Sequence, residues 1–199
     1  LGVEEGRAAY YDGTGALRDV LQNHMLQVLA LVAMEPPTSL DAEALRNQKV
    51  EVLRALRLPD PEEVARSSVR ARYGPGAALR GYLDEEGVAE DSTTETYVAL
   101  RAEINNWRWR GVPFLLRHGK RLPKRFTEVQ VQFRMPPLQL FNRPPDMSDA
   151  EFDRALHNGA LCLIRPNVLT IGIQPRETIG LSFGVKQPGP EMIMTPAAL

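Results

Sequence analysis

The chain has 199 residues, 43% of them hydrophobic and 25% charged, with a formal net charge of −1. This is the make-up of an ordinary globular protein with room for one real core or two small ones. A charge so near zero gives no reason to expect nucleic acid or an anionic membrane as partner, and no apolar run approaches the roughly 18 residues of a membrane span. The single cysteine, Cys162, excludes an internal disulfide and fits a reducing compartment, the cytoplasm. It precedes Leu163 and Ile164 in an apolar run, the setting of a buried, inert thiol.

Asp12-Gly13-Thr14 should turn the chain and cap a helix. That helix is expected over 15–35, because Leu17, Val20, Leu21, Val28, Leu31 and Val32 recur at three- and four-residue steps. Pro36-Pro37 should stop it. Asp41 caps a second helix through about Arg57, with Leu45, Val50, Val52, Leu53 and Leu56 inward. Pro61 suits the first turn of a short third helix. Ser67 to Tyr73 then reads as a strand with two arginines on one face. The glycine- and acid-rich segment 74–91 is a loop by composition, expected to be the least anchored part.

Thr94 to Asn105 alternates at period two and is a clearer strand. Phe114 to Arg117 and Thr127 to Arg134 are strand-like as well. Pro136 to Pro145 is proline-rich, and Ser148 should cap a short helix from Asp149 to His157. Leu161–Ile164, Val168–Gln174, Ile179–Lys186 and Met192–Thr195 complete the expected strands. Helices come first and strands follow, without βαβ alternation. The fold class expected is α+β, one domain over 1–199 with a helical part to about 66 and a large, mostly antiparallel sheet after it.

Two places could carry chemistry. His24 lies seven residues after Leu17 and seven before Leu31, which puts it on the apolar stripe of a regular helix. There its imidazole would lose solvation and favour the neutral, proton-accepting form of a general base; the other reading is a core histidine satisfied by backbone carbonyls. The run Arg117 to Arg125 holds five Lys or Arg in nine positions. It reads either as an anion site at a strand end or as a solvated basic loop. His118 within it is expected on the surface of that loop. No His, Cys or carboxylate set has metal-ligand spacing, so no metal is expected.

Longer stretches narrow these alternatives. Tyr10-Tyr11-Asp12, Gly15-Ala16-Leu17-Arg18-Asp19, Gln22-Asn23-His24 and Leu31-Val32-Ala33-Met34-Glu35-Pro36 closely resemble one segment of the glucose-6-phosphate dehydrogenases. Asn106-Trp107-Arg108-Trp109-Arg110-Gly111-Val112-Pro113-Phe114, with Arg117, Gly119, Lys120, Arg121 and Leu122, resembles another. Gly81-Tyr82, Glu85-Glu86-Gly87-Val88, Asp91-Ser92 and Gln174-Pro175 have weaker counterparts in the same order, and 143–160 is the least typical part.

The resemblance implies an NADP-dependent oxidation of glucose 6-phosphate at C1 to 6-phosphogluconolactone, the first step of the pentose phosphate pathway. His24 would be the catalytic base, Asp19 would bind the sugar, and Lys120 and Arg125 would contact its phosphate side. It also implies a homodimer or larger assembly through the sheet. The family holds NADP mainly on an N-terminal Rossmann domain with a Gly-Ala-Ser/Thr-Gly-Asp-Leu fingerprint. Neither that fingerprint nor the family's Arg-Ile-Asp-His-Tyr-Leu-Gly-Lys segment occurs here. The chain is therefore expected to be an internal piece of a longer enzyme, incomplete at both ends and inactive alone. A second, structural NADP is not expected: Arg117 matches one of its ligands, but Phe126 and Gln130 stand where basic residues would be needed. The alternative is a non-catalytic relative kept for assembly or regulation, against which intact His24, Asp19 and Lys120 speak.

Overall fold

The computed structural model describes residues 7–76, 80–135, 147–157, 166–186, 188–190 and 194–199. The chain divides into two compact units, Leu1–Pro123 and Lys124–Leu199. The expected strand at 161–164, Cys162 and the proline-rich stretch 136–145 lie outside the described residues.

The first unit opens with a long helical rod: α1 (Ala8–Ala16), a π-helix (Leu17–Met25) and α2 (Leu26–Ala33). It starts earlier than Asp12-Gly13-Thr14 suggested. The backbone irregularity falls instead at Gly15, whose φ of 75° and ψ of 169° break the helical path. The rod ends at Met34, which is extended ahead of Pro36-Pro37. α3 (Ala42–Arg54) begins as expected at Asp41, whose carboxylate accepts from the N–H groups of Glu43 (3.0 Å) and Ala44 (2.9 Å). α4 (Pro61–Ser67) has Asp60 as its cap, accepting from Glu63 N–H at 2.8 Å.

Three antiparallel strands follow in the order β1 (Ser68–Ala71), β2 (Tyr97–Glu103), β3 (Pro113–Gly119). Their alternation turns Val98 and Leu116 inward, with Ile104 just past β2, against Leu21, Leu29, Ala30 and Ala33 of the rod and Val52 of α3. Fully burying a branched side chain of this size contributes about 1.5–3 kcal/mol, so this cluster is what seats the rod on the sheet.

The buried face of the rod is not the one that heptad spacing indicated. Leu17 is 37% exposed, Leu31 is 51% exposed, and His24 between them is exposed too. The cause is the π-helix. Hydrogen bonds that skip five residues, such as Leu26 N–H to the Leu21 carbonyl, widen each turn and shift the phase of everything after them. His24 consequently lacks the burial on which a desolvated imidazole was expected.

The second unit is a four-stranded antiparallel sheet, β4 (Thr127–Gln132), β5 (Val168–Gln174), β6 (Thr178–Lys186) and β7 (Met194–Ala198), in that order. Its helix α5 (Asp149–His157) starts at Ser148, whose hydroxyl and Glu151 form a reciprocal cap. Cross-strand partners Val129, Ile171 and Ile179 form one apolar row, and Val131, Leu169 and Leu181 another. Side chains two apart share a face, so both rows lie on the same side, with Ile179 78% exposed. The architecture is α+β, with two antiparallel sheets. No helix among the described residues is long and apolar enough to cross a membrane.

Candidate active site

The π-helix is held at its start by Glu95, just before β2. The Glu95 carboxylate accepts the Leu17 N–H at 2.9 Å, and its carbonyl accepts from Ala16 N–H at 3.1 Å and the Tyr11 hydroxyl at 3.4 Å. A Cβ on Gly15 would lie 2.7 Å from Glu95 Oε1, so glycine allows both the positive φ and this approach. Asp19 and His24 both lie within the π-helix. Residues five apart fall on well-separated sides of an α-helix, whereas five-residue hydrogen bonding brings them towards one side. Asp19 is half-buried and His24 exposed, so the base candidate is open to a ligand.

β3 packs on this π-helix and brings the basic cluster to it. Lys120 follows the strand directly, donates its N–H to the Thr96 carbonyl at 2.9 Å, and places Nζ 5.2 Å from the centre of the Tyr11 ring. Gly119 permits this turn, since a Cβ there would meet Tyr97 Cδ2 at 2.7 Å. Tyr11 is 3% exposed; burial first, then the charges of Glu95 and Asp19, push its phenol well above the ordinary range. It is therefore a neutral ring under a cation.

His118 is a correction to the sequence reading. It sits on β3 opposite Val98, half-buried, with Nε2 closed off from solvent and without a hydrogen-bond partner. Burial and then the Lys120 ammonium hold its pKa below the usual 6.5; Asp19 opposes this and His24 adds to it. Arg125 is exposed and belongs to the second unit.

The loop after β1 is tied down from Arg80 onward, unlike its expected laxity. Tyr82 is 1% exposed and donates to Asp12 Oδ1 at 2.9 Å. The Asp12 carboxylate also accepts from Ser92 Oγ and from Ala89 N–H at 3.3 Å. Burial would raise the Asp12 pKa, but the hydrogen bonds from Ser92, Tyr82 and Ala89 outweigh it, and it lies below 3.8. The tryptophan segment is a structural staple. Trp109 Nε1 donates to the last carbonyl of α2, Ala33 (2.9 Å), and Arg108 grips Glu35 with two bonds of 2.7 Å.

A depression of about 320 Å³ lies elsewhere, near Thr38, Asn47 and Gln48, and is lined by Asp41 and Glu43. Two carboxylates suit neither an anion nor a phosphorylated sugar. Glu95 and Tyr11, which touch the start of the π-helix and Lys120, are missed by sequence reading. Glu95 lies in a polar run with no local signal of its long-range hydrogen bonds, and Tyr11 differs from Tyr10 only in burial.

Known proteins resemble the chain along its whole length. Residues 1–199 match the family model described as "Glucose-6-phosphate dehydrogenase, C-terminal domain". A glucose-6-phosphate 1-dehydrogenase of Aggregatibacter actinomycetemcomitans is 46% identical over 194 residues, covering 95% of this chain and 35% of the relative. One from Mycolicibacterium smegmatis is 45% identical over 202 residues, covering 100% and 37%. The crystal structure of glucose-6-phosphate 1-dehydrogenase from Mycobacterium avium superposes with a TM-score of 0.78 at 41% identity, over all of this chain and 37% of that one. A glucose-6-phosphate dehydrogenase in complex with its substrate glucose-6-phosphate gives 0.77 at 36% identity, over 100% and 36%. The chain thus spans little more than a third of the length of the relatives it matches. The match of residues 1–199 to that family model, with these relatives beside it, places the chain in the glucose-6-phosphate dehydrogenase family, as its C-terminal domain.

Proposed function

We propose that this chain is the sugar-binding and proton-accepting part of an NADP-dependent glucose-6-phosphate dehydrogenase, converting glucose 6-phosphate to 6-phosphogluconolactone in the cytoplasm. The observation that carries the reading is the π-helix: it turns Asp19 and His24 towards one side, against the strand end that presents Lys120. Lys120 binds the phosphate end as a compact cation. Asp19 accepts hydrogen bonds from sugar hydroxyls. His24, exposed and able to reach a ligand, takes the proton from the C1 hydroxyl as C1 is oxidised.

NADP belongs to the rest of the enzyme. Every described strand pair is antiparallel, so the described residues contain no parallel strand–turn–helix whose N-terminus could cradle a pyrophosphate. What this chain supplies is substrate orientation and the base. The enzyme assembles as a homodimer or larger oligomer through the four-stranded sheet; its apolar rows, with Ile179 78% exposed, support a protein neighbour there.

The test is His24→Asn in the full-length protein. KM for glucose 6-phosphate should stay within a few-fold while kcat falls by roughly 10²–10⁴, the worth of a positioned general base. Near-normal kcat would remove His24 from the reaction, whereas no turnover in the unsubstituted full-length protein would favour the non-catalytic relative.

A further inference from the structure

We propose that Arg121 is a positioning residue: its latch onto Tyr73, Arg80 and Glu85 fixes the turn from which Lys120 reaches the sugar phosphate. The inference rests on the reading of Lys120 as a phosphate contact. Arg121 itself touches no substrate in it.

Lys120 and Arg121 are consecutive cations that straddle a stack of three tyrosines. Tyr82 stands in the middle, edge-on to Tyr11 at 6.2 Å and to Tyr73 at 5.7 Å. The Lys120 ammonium lies over the outer ring at one end, Tyr11, and the Arg121 guanidinium lies 4.6 Å from the centre of the ring at the other, Tyr73. Two neighbouring side chains diverge in this way because Arg121 has a φ of 54°. It is the one non-glycine residue with positive φ among those described. A residue with a Cβ stays in that region only when its surroundings over-determine it.

The surroundings here do so. Arg121 Nη1 donates to the Arg80 carbonyl at 2.5 Å and Nη2 pairs with the Glu85 carboxylate. Glu85 also accepts from the Tyr73 hydroxyl at 3.1 Å. The side chains of this ion pair are 18% and 20% exposed, whereas Arg108 and Glu35 are 56% and 52% exposed, so water screens it less. The middle ring is fixed as well, through its hydroxyl on Asp12. A ligand's phosphate can draw Lys120 off Tyr11 without disturbing Arg121, because the two cations use different rings. Losing the latch would instead let the turn leave its left-handed conformation and spread Lys120 over many positions.

The experiment is steady-state kinetics of the full-length enzyme with glucose 6-phosphate. Arg121→Ala should raise KM about tenfold, the scale of one misplaced charge-assisted contact, with kcat within about twofold. Arg121→Gly separates latch from backbone: glycine adopts positive φ freely, so if strain alone mattered it would behave as wild type, whereas loss of the latch raises KM as in Arg121→Ala. Glu85→Gln should move KM in the same direction. In a Lys120→Ala background, Arg121→Ala should add nothing further, since the effect passes through Lys120. An unchanged KM in Arg121→Ala, a wild-type Arg121→Gly, or full additivity with Lys120→Ala would overturn the inference while leaving the Lys120 reading intact. An unchanged KM in Lys120→Ala alone would overturn that reading and this inference with it. Should Arg121→Ala fail to fold, Arg121→Lys keeps the charge, loses the fork and must show the same split.

Discussion

Replacing Gly15 by Ala tests the joint on which the π-helix depends. Gly15 has φ 75° and ψ 169°, a region open almost only to glycine and costing about 1–3 kcal/mol for a residue with a Cβ. The new methyl would also stand 2.7 Å from Glu95 Oε1, where Cβ atoms essentially never sit, so the Glu95 side chain has to move. Moving it weakens the hydrogen bond it accepts from Leu17 N–H, a cap worth about 1 kcal/mol. Together these give a loss of about 2–4 kcal/mol, read as a lower urea midpoint and a melting temperature down by roughly 4–16 °C for a protein of this size. In the full-length enzyme kcat should fall as well, because Asp19 and His24 ride on the segment that Glu95 anchors. A Glu95→Ala background separates the two contributions: it relieves the clash but not the backbone strain, so Gly15→Ala should remain destabilising there by a smaller amount. Full stability and activity in Gly15→Ala would show that residue 15 does not have positive φ and would undo this account of the site.

Three other outcomes are expected. Lys120→Ala should lower kcat/KM for glucose 6-phosphate by about 1.5–3 kcal/mol, the worth of a charged hydrogen bond, while leaving free glucose little affected; equal losses for the two sugars would show that Lys120 does not read the phosphate. Asp12→Ala should cost about 1–3 kcal/mol near neutral pH, because it strands the buried Tyr82 hydroxyl. The folded-state pKa of Asp12 lies below 3.8, so its contribution is present above that pH and is lost as pH falls through the folded value; the gap between wild type and variant should narrow in thermal melts below pH 3.8, and a constant gap would refute the charge's role. Light scattering of the full-length protein should give a dimer or larger species, and a monomer at micromolar concentration would argue against assembly through the four-stranded sheet.

Local signals served well where the structure is local. Asp41, Asp60 with Pro61, and Ser148 start helices because a side-chain oxygen meets N–H groups two or three residues on, a relation confined to one turn. The strand Val168–Gln174 has the bounds that its flanking Asn167 and Pro175 indicated. Asp19 stands out only through resemblance to a family, whereas His24 and Lys120 also stand out by periodicity and by a basic run. Periodicity alone misplaced His24 on a buried stripe, since it assumes that every turn closes over four residues.

What could not be read from neighbours along the chain is everything that depends on a partner far along it. The π-helix begins where a carboxylate 78 residues away takes the Leu17 N–H. The loop holding Tyr82 is fixed by Asp12, 70 residues earlier. His118 looked like one more residue of a basic loop, yet pairing with Val98 on β2 carries it into the sheet and closes Nε2 off from water. Composition, caps and alternation express the free energy of a residue and its immediate neighbours, enough for the element types and for an α+β class. Which face is buried and which cation meets which ring are settled by long-range hydrogen bonds and packing, because those interactions form only when the folded chain brings distant residues to the same place.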